Sequence, residues 1–329
     1  MRAARIGVVL AAGLFCIAAM GSGWRWPEGR GAPRIPAGNA MNAAKVELGR
    51  RLFYDADLSA DGSMACSSCH VQRHGFADSV AVHPGVHGDP GRRNAPGLAN
   101  VAWLRPLTWG DPRITTLEAQ AAVPILGTTP VEMGMHEQEA EIARRLGRDS
   151  CYVRMFRDAF PETNGRIDMG AVQKALASFE RTLVSNQSPW DRWRAGDRTA
   201  LTPPQREGAR AFARSCATCH SGPDLGDGRF HAIEPAGADR GLAEISGKPG
   251  DNGRFRTPPL RNVALTAPYL HDGSAVTLAD AIARHREATD RLSDADRQAI
   301  LVFLGTLTDR AFVTDHRYSL PDSACGLPL

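Results

Sequence analysis

CSSCH (residues 66–70) and CATCH (216–220) decide how this chain is read. Each sets two thiols three positions apart, with a histidine directly after the second. In C-x-x-C-H that spacing lets both sulfurs bond to the vinyl groups of a haem, while the adjacent imidazole turns back to the iron. The first motif therefore assigns Cys66 and Cys69 to covalent attachment and His70 to the proximal ligand position; the second assigns Cys216, Cys219 and His220. Two other chemistries use CxxC pairs. Zinc ribbons separate theirs by roughly 15–20 residues, against about 150 here. A thioredoxin-like pair needs a βαβ setting, and no such pattern is visible. Two covalently bound haem c groups are expected.

The flanking sequence suits two helical haem units. AAKVELGRRLF (43–53) reads as a helix leading toward CSSCH, and Thr202 caps a helix that opens with Pro203 and Pro204 and delivers CATCH. EAEIARRL and AVQKALASFERTLV are further helices between the motifs. Ser293 caps a helix whose Ile300, Leu301, Leu304 and Leu307 form an apolar stripe. TLADAIARH (277–285) places Leu278, Ala281, Ile282 and His285 on one helical face. Gly/Pro-rich loops occupy 83–97 and 221–259, alternating strand patterns are almost absent, and no repeat is evident beyond the haem-helix unit. The expected fold is mainly α, with a haem domain over 24–199 and another over 200–329.

Arg2 and Arg5, the apolar run IGVVLAAGLFCIAAM and the small residues before Trp24 predict an export signal over 1–23 and a periplasmic location. About fifteen apolar residues fall short of a comfortable membrane span. Of the seven cysteines, Cys16 falls in that signal and four serve the motifs. Cys151 and Cys325 remain, and an oxidising compartment permits a disulfide that the sequence neither requires nor excludes. A formal charge of +3, without a Lys/Arg block, gives no reason to expect nucleic acid as a partner.

GRRLFYDADLSADGSMACSSCH, RRNAPGLANVAW, PVEMGM, KALASFERTLVS, CATCH and FRTPPLRNVALTAPYLHDGS, in that order, resemble the bacterial di-haem cytochrome c peroxidase and MauG family over nearly the whole mature chain. The resemblance implies two c-type haem domains with one interdomain Ca2+, an N-terminal haem that meets hydrogen peroxide and a C-terminal haem that relays electrons. It implies calcium ligands at Asn94, Thr266 and Pro268, whose amide and carbonyl oxygens are hard donors. It puts Trp109 between the haems and Glu132 beside the peroxide face as general acid/base. A core aromatic and a solvated surface acid are the plain alternatives for those two residues.

Two departures matter. Peroxidases of the family cap the first iron with a loop histidine; VAVHPGVHGDPGRRN offers His83 and His87, of which His87 matches better, whereas MauG-like members keep an open site. Second, the family's methionine or tyrosine ligand to the C-terminal haem lies fourteen residues beyond the histidine of YxHDG. Counting fourteen from His271 reaches His285, and no methionine follows Met169. His285 is thus the expected sixth ligand. Met/His ligation raises haem potential, so the exchange for nitrogen lowers it and favours a MauG-like role over peroxide detoxification. The resemblance is nearest to the MauG-like branch, including the methanobactin-associated enzyme MbnH. It implies oxidation of a tryptophan on a periplasmic partner protein of MbnP type toward kynurenine, by long-range electron transfer, with both haems sharing the oxidising equivalents. The alternatives are a cytochrome c peroxidase fed by a small cytochrome or cupredoxin, and a di-haem electron carrier. Trp190 and Trp193 in SPWDRWRAG are candidate exits for oxidising equivalents, or else helix-end packing.

Overall fold

The computed structural model describes residues 24–329 apart from 25, 28, 235, 236 and 291. The expected export signal and Cys16 lie outside the described residues. The fold is helical: α1 (Ala43–Phe53), α2 (Cys66–Cys69), α3 (Leu117–Leu126), α4 (Glu139–Leu146), α5 (Ser150–Ala159) and α6 (Met169–Glu180) build the first lobe. After the linking helix α7 (Pro189–Arg194) come α8 (Pro203–Ser215), α9 (Ala243–Ser246), α10 (Leu278–Arg284), α11 (Arg286–Thr289), α12 (Asp294–Gly305) and α13 (Arg310–Thr314). Strands are confined to two short antiparallel pairs, Phe230–His231 with Phe255–Arg256 and Ser323–Ala324 with Leu327–Pro328. No helix among the described residues is long and apolar enough to cross a membrane.

Polar side chains set the helix starts. Asn42 accepts from the Lys45 amide at α1, Asp168 from Ala171 at α6, Thr202 from Gln205 at α8 and Ser293 from Asp296 at α12. The FERTLV segment leaves the helix after Glu180. Likewise Thr277 caps α10 from outside, and the helix ends at Arg284, so His285 stands just past its C-terminus.

Each lobe is organised around one helix crossing. At Gly49 of α1 a Cβ would lie 1.9 Å from the Ala175 carbonyl oxygen and 3.0 Å from the Phe179 Cβ; at Gly208 of α8 it would lie 1.9 Å from the Ala299 oxygen and 2.8 Å from the Phe303 Cβ. Only glycine permits these approaches. Four residues on, Phe53 meets Phe179 at 5.3 Å between ring centres, and Phe212 meets Phe303 at 5.0 Å.

The lobes share a second unit, which corrects the expectation of no repeat beyond the haem helix. PGLANVA (96–102) and PPLRNVA (258–264) each carry an asparagine in the left-handed region, Asn100 at φ 58° and Asn262 at φ 59°. Each opens a 3-10 turn. The Asn100 amide donates to Leu183 O and its Oδ1 accepts from the Ser185 amide. The Asn262 amide donates to Leu307 O and its Oδ1 accepts from the Asp309 amide. The two chain exits then meet, because Ser185 Oγ donates to Asp309 Oδ2 at 3.1 Å. All four residues are buried.

The lobes exchange their ends across this seam. Trp190, within the expected first domain, packs against the second core, whereas Phe312 and Tyr318 of the tail pack in the first. Cys325 is disulfide-bonded to Cys151. A boundary at 199/200 therefore separates the motifs along the chain but not the two cores in space.

Asn262→Gly should destabilise the protein by about 1–3 kcal/mol, since it strips the buried Asp309 amide of its acceptor. Asn262→Ala should cost about 1–2 kcal/mol more, because alanine resists the left-handed conformation. Equal denaturation midpoints for the two variants would remove the conformational part of this argument.

Candidate haem and electron-transfer site

Both motifs aim their histidine in the same way. The His70 amide donates to Cys66 O and the His220 amide to Cys216 O, closing one turn over each motif. His70 Nδ1 then donates to Phe76 O at 2.8 Å, and His220 Nδ1 to Leu225 O at 3.1 Å. Both acceptor residues hold positive φ, 62° and 53°. With Nδ1 occupied, Nε2 is left as the donor toward a metal. Burial lowers both imidazole pKa values, His220 to about 4, so each ring is held in its neutral, ligating form.

His285 follows the same rule, with Nδ1 donating to Ala281 O at 2.7 Å. Its ring centre stands 6.2 Å from that of His220. A metal–imidazole bond is about 2.0–2.1 Å, and a ring nitrogen lies about 1.1 Å from its centre, so imidazoles on opposite faces of one metal ion stand about 6.3 Å apart. The observed pair matches that spacing. Around it lies a cavity of about 830 Å³, lined by Cys216 and Cys219, by Leu278, Ile282, Ile300 and Leu304, and by Trp109. Arg256 also faces this cavity, and among the described residues it forms no ion pair. Burial pulls its pKa down to about 10. Two thiols, two imidazoles 6.2 Å apart, apolar side chains and a buried cation suited to a propionate all fit a haem at the second motif.

At the first motif the donor set is the same, Cys66, Cys69 and His70, and the 78–87 loop folds over it. His83 Nδ1 donates to Asp78 Oδ2 at 2.9 Å, and these two groups lie with Cys69 Sγ within 4.8 Å of one another. His87 is exposed on the same loop. Glu132 is half-buried there, its backbone oxygen accepting from the Val86 amide at 2.8 Å. Burial raises the Glu132 carboxyl pKa against the opposing pull of His83, which extends the range over which it keeps a transferable proton.

Trp109 is buried at the seam, its Nε1 donating to Asn94 O at 2.8 Å, with the Arg256 guanidinium 5.8 Å over its ring. Asn94, Thr266 and Pro268 line the same cavity. The Asn94 Nδ2 donates to Val80 O and Ala81 O, at 3.1 and 3.2 Å, which fixes the amide whose oxygen is the expected calcium donor. These residues are brought together; Trp190 and Trp193 are not among the residues that line that cavity.

One group gives no sign of itself in the sequence. Glu180 is 5% exposed and its Oε2 has no hydrogen-bond partner. Burial pushes its pKa up to about 8, although Arg181 pulls the other way. Its charge is felt at Cys66. Within FERTLVS it looks like an ordinary helical Glu, and only the α1–α6 crossing buries it.

The geometry defines a class of protein: a helical c-type cytochrome with two haem lobes and an indole at their seam. Family comparison narrows the class. The family model described as "Di-haem cytochrome c peroxidase" matches residues 43–199, and "Cytochrome c" matches 205–308. The methylamine utilization protein MauG of Methylophilus methylotrophus is 37% identical over 265 residues, covering 78% of this chain and 77% of that protein. The cytochrome c551 peroxidase of Pseudomonas aeruginosa is 33% identical over 286 residues, covering 83% and 81%. A crystal structure described as a MauG-like protein associated with microbial copper homeostasis superposes with a TM-score of 0.86 at 34% identity, covering 91% of this chain and 100% of that one. The chain belongs to the di-haem cytochrome c peroxidase and MauG family, and it is a peroxide-dependent di-haem oxidoreductase.

Glu180 makes stability depend on pH. Its folded pKa lies near 8 and its ordinary value at 4.5. Between those values the folded chain holds a proton that the unfolded chain has released, so stability falls as pH rises through this window and levels off above it. Glu180→Gln should therefore match wild type near pH 5 and exceed it by about 1–3 kcal/mol near pH 9. Parallel stability curves for the two proteins across that window would show that Glu180 titrates normally.

Proposed function

We propose that this chain is a periplasmic MauG-like enzyme that uses hydrogen peroxide to oxidise an aromatic residue, tryptophan, on a partner protein, carrying it toward kynurenine. The observation that carries this reading is the approach of His220 and His285 to 6.2 Å between ring centres, the spacing of two imidazoles that share a metal ion. Two nitrogen ligands would keep a haem held there at low potential, a poor acceptor for the high-potential donors that feed a peroxidase. The copper-associated MauG-like neighbour supports the reading. So does the Cys151–Cys325 disulfide, which suits an oxidising compartment, as does the expected export signal over 1–23.

In this reading Cys66, Cys69, Cys216 and Cys219 would hold the haems, and His70, His220 and His285 would supply imidazole nitrogen to the iron. Bound haem supplies the redox centre that peroxide oxidises and that electrons then refill. Glu132 keeps a proton beside the first motif and delivers it to the departing peroxide oxygen. Trp109, fixed by its bond to Asn94, lies at the seam as a step between the lobes. Asn94, Thr266 and Pro268 would supply hard oxygen donors to Ca2+. Tryptophan oxidation to N-formylkynurenine removes four electrons, so it consumes two peroxides and takes its oxygen from water; hydrolysis then yields kynurenine and formate.

Glu132→Gln should slow peroxide consumption by about 10²–10⁴-fold while leaving both haems attached. His285→Met should change the low-spin EPR signal of the ferric protein and raise the potential of the second haem. An EPR signal unaltered in His285→Met would overturn the ligand assignment. Rapid peroxide turnover by the wild type with reduced cytochrome c would replace this reading with the peroxidase.

A further inference from the structure

The aromatic contact under each proximal histidine is repeated, but its continuation is not. His70 stands 6.4 Å from Phe53, which meets Phe179; His220 stands 6.4 Å from Phe212, which meets Phe303. In the first lobe the contacts run on from Phe53 to Phe76 and then to Phe312 and Tyr318, all buried. In the second lobe they run outward. Phe303 meets Trp190 edge-on at 5.0 Å, and Trp190 stacks on Trp193 at 5.1 Å with 15° between the planes. Trp193 is only partly buried and sits in a run of exposed residues. The phenyl pair is explained by the helix crossing common to both lobes. The indole pair is not.

The surroundings of Trp193 are cationic. Asp191 is taken inward by Arg261, at 2.7 Å. Arg192 reaches Asp197 only at 3.9 Å, and among the described residues Arg194 and Arg198 form no ion pair. Arg192, Arg194 and Arg198 are all exposed, and the Arg198 guanidinium lies 5.7 Å over the Trp193 ring.

We propose that Trp190 and Trp193 are the surface exit of an electron path from the second haem motif, and that Arg192, Arg194 and Arg198 dock a partner protein whose oxidisable aromatic residue lies in an acidic patch. This rests on the proposed function and specifies the partner's chemistry. Indole is oxidised far more readily than phenyl. Trp193 and Trp190 therefore hold charge in turn, while Phe303 and Phe212 only bridge the gap to His220. Ring centres stand about 5 Å apart from Trp193 through to Phe212, and 6.4 Å apart at the last step to His220. The collar also gates the path: a guanidinium above Trp193 opposes positive charge on that ring, and carboxylates arriving with the partner offset it. Reduction of one peroxide to two waters takes two electrons and two protons. Two electrons leave the partner's ring through Trp193, and that ring, adding oxygen from water, releases two protons at the interface.

The test uses the haem-loaded protein, one equivalent of peroxide, and a synthetic peptide with one tryptophan among aspartates, alongside its asparagine counterpart. At low salt the aspartate peptide should bind at least about tenfold more tightly than the asparagine peptide, and R194E/R198E should abolish the difference. Trp193→Phe should bind the aspartate peptide as wild type does, yet oxidise it at least about tenfold more slowly, and W190F/W193F should lose the tryptophan-radical EPR signal seen after peroxide without peptide. Unchanged peptide oxidation in W190F/W193F overturns the exit. Equal binding of both peptides overturns the docking collar. Failure of the wild type to oxidise the bound aspartate peptide, or any free aromatic donor, after peroxide is consumed would instead overturn the proposed function, and the binding comparison would still decide the collar.

Discussion

Two buried asparagines hold the halves of this molecule to each other. A left-handed backbone at Asn100 and Asn262 turns each side chain toward the segment leaving the last long helix of its own lobe. Those segments meet where Asp309 Oδ2 accepts from Ser185 Oγ and from the amides of Asn186 and Gln187. One carboxylate thus answers three donors, of which the Ser185 hydroxyl is fully buried. Leaving any of them unpaired costs about 1–3 kcal/mol, so the seam has one relaxed arrangement. The cavity wall, Trp109 and the expected calcium residues inherit their positions from it.

On either side of the seam the lobes repeat one local solution and then diverge. Glycine lets the helices cross, a phenylalanine pair fills the crossing, and a left-handed carbonyl turns the histidine. The residue after the second phenylalanine is Glu180 in one lobe and Leu304 in the other. Leu304 is what a buried helix face calls for. Glu180 stores a desolvated carboxyl, worth several kcal/mol if ionised, next to the first motif. The first lobe thus carries two carboxyls whose pKa burial raises, Glu180 and Glu132, close to the cysteines of its motif, where the second lobe has the apolar Leu304 in place of Glu180.

The amino-acid pattern made the motifs, the helix caps and the distance from His271 to His285 legible, because each depends on neighbours close along the chain. The repeat was harder to see. PGLANVA and PPLRNVA agree at five of seven positions, but so short a match gains its meaning only from the left-handed asparagine and the hydrogen bonds that both segments share. Glu180 and Arg256 escaped, and the Cys151–Cys325 bond stayed open, for another reason. Each is defined by what a distant segment places beside it: a crossing helix, the Trp109 loop, and a tail 174 residues away. The exchange of ends between the lobes is of the same kind, since Trp190, Phe312 and Tyr318 are ordinary aromatics until packing assigns them to a core.

Arg256 and Arg198 set the same electrostatic problem at two depths. Each places a guanidinium within 6 Å of a tryptophan ring, Trp109 in the interior and Trp193 at the surface. Positive charge on an indole is repelled by both, but not equally. Water and salt screen Arg198, so its field is modest and a docking carboxylate can cancel it. Arg256 is buried without a carboxylate, and its repulsion acts at low dielectric. An anionic group facing Arg256 across the cavity would remove that barrier, and a haem propionate is such a group. Cofactor binding would then ease oxidation of the inner tryptophan as partner binding eases that of the outer one, so that charge reaches the surface most readily when both ends of the path are occupied.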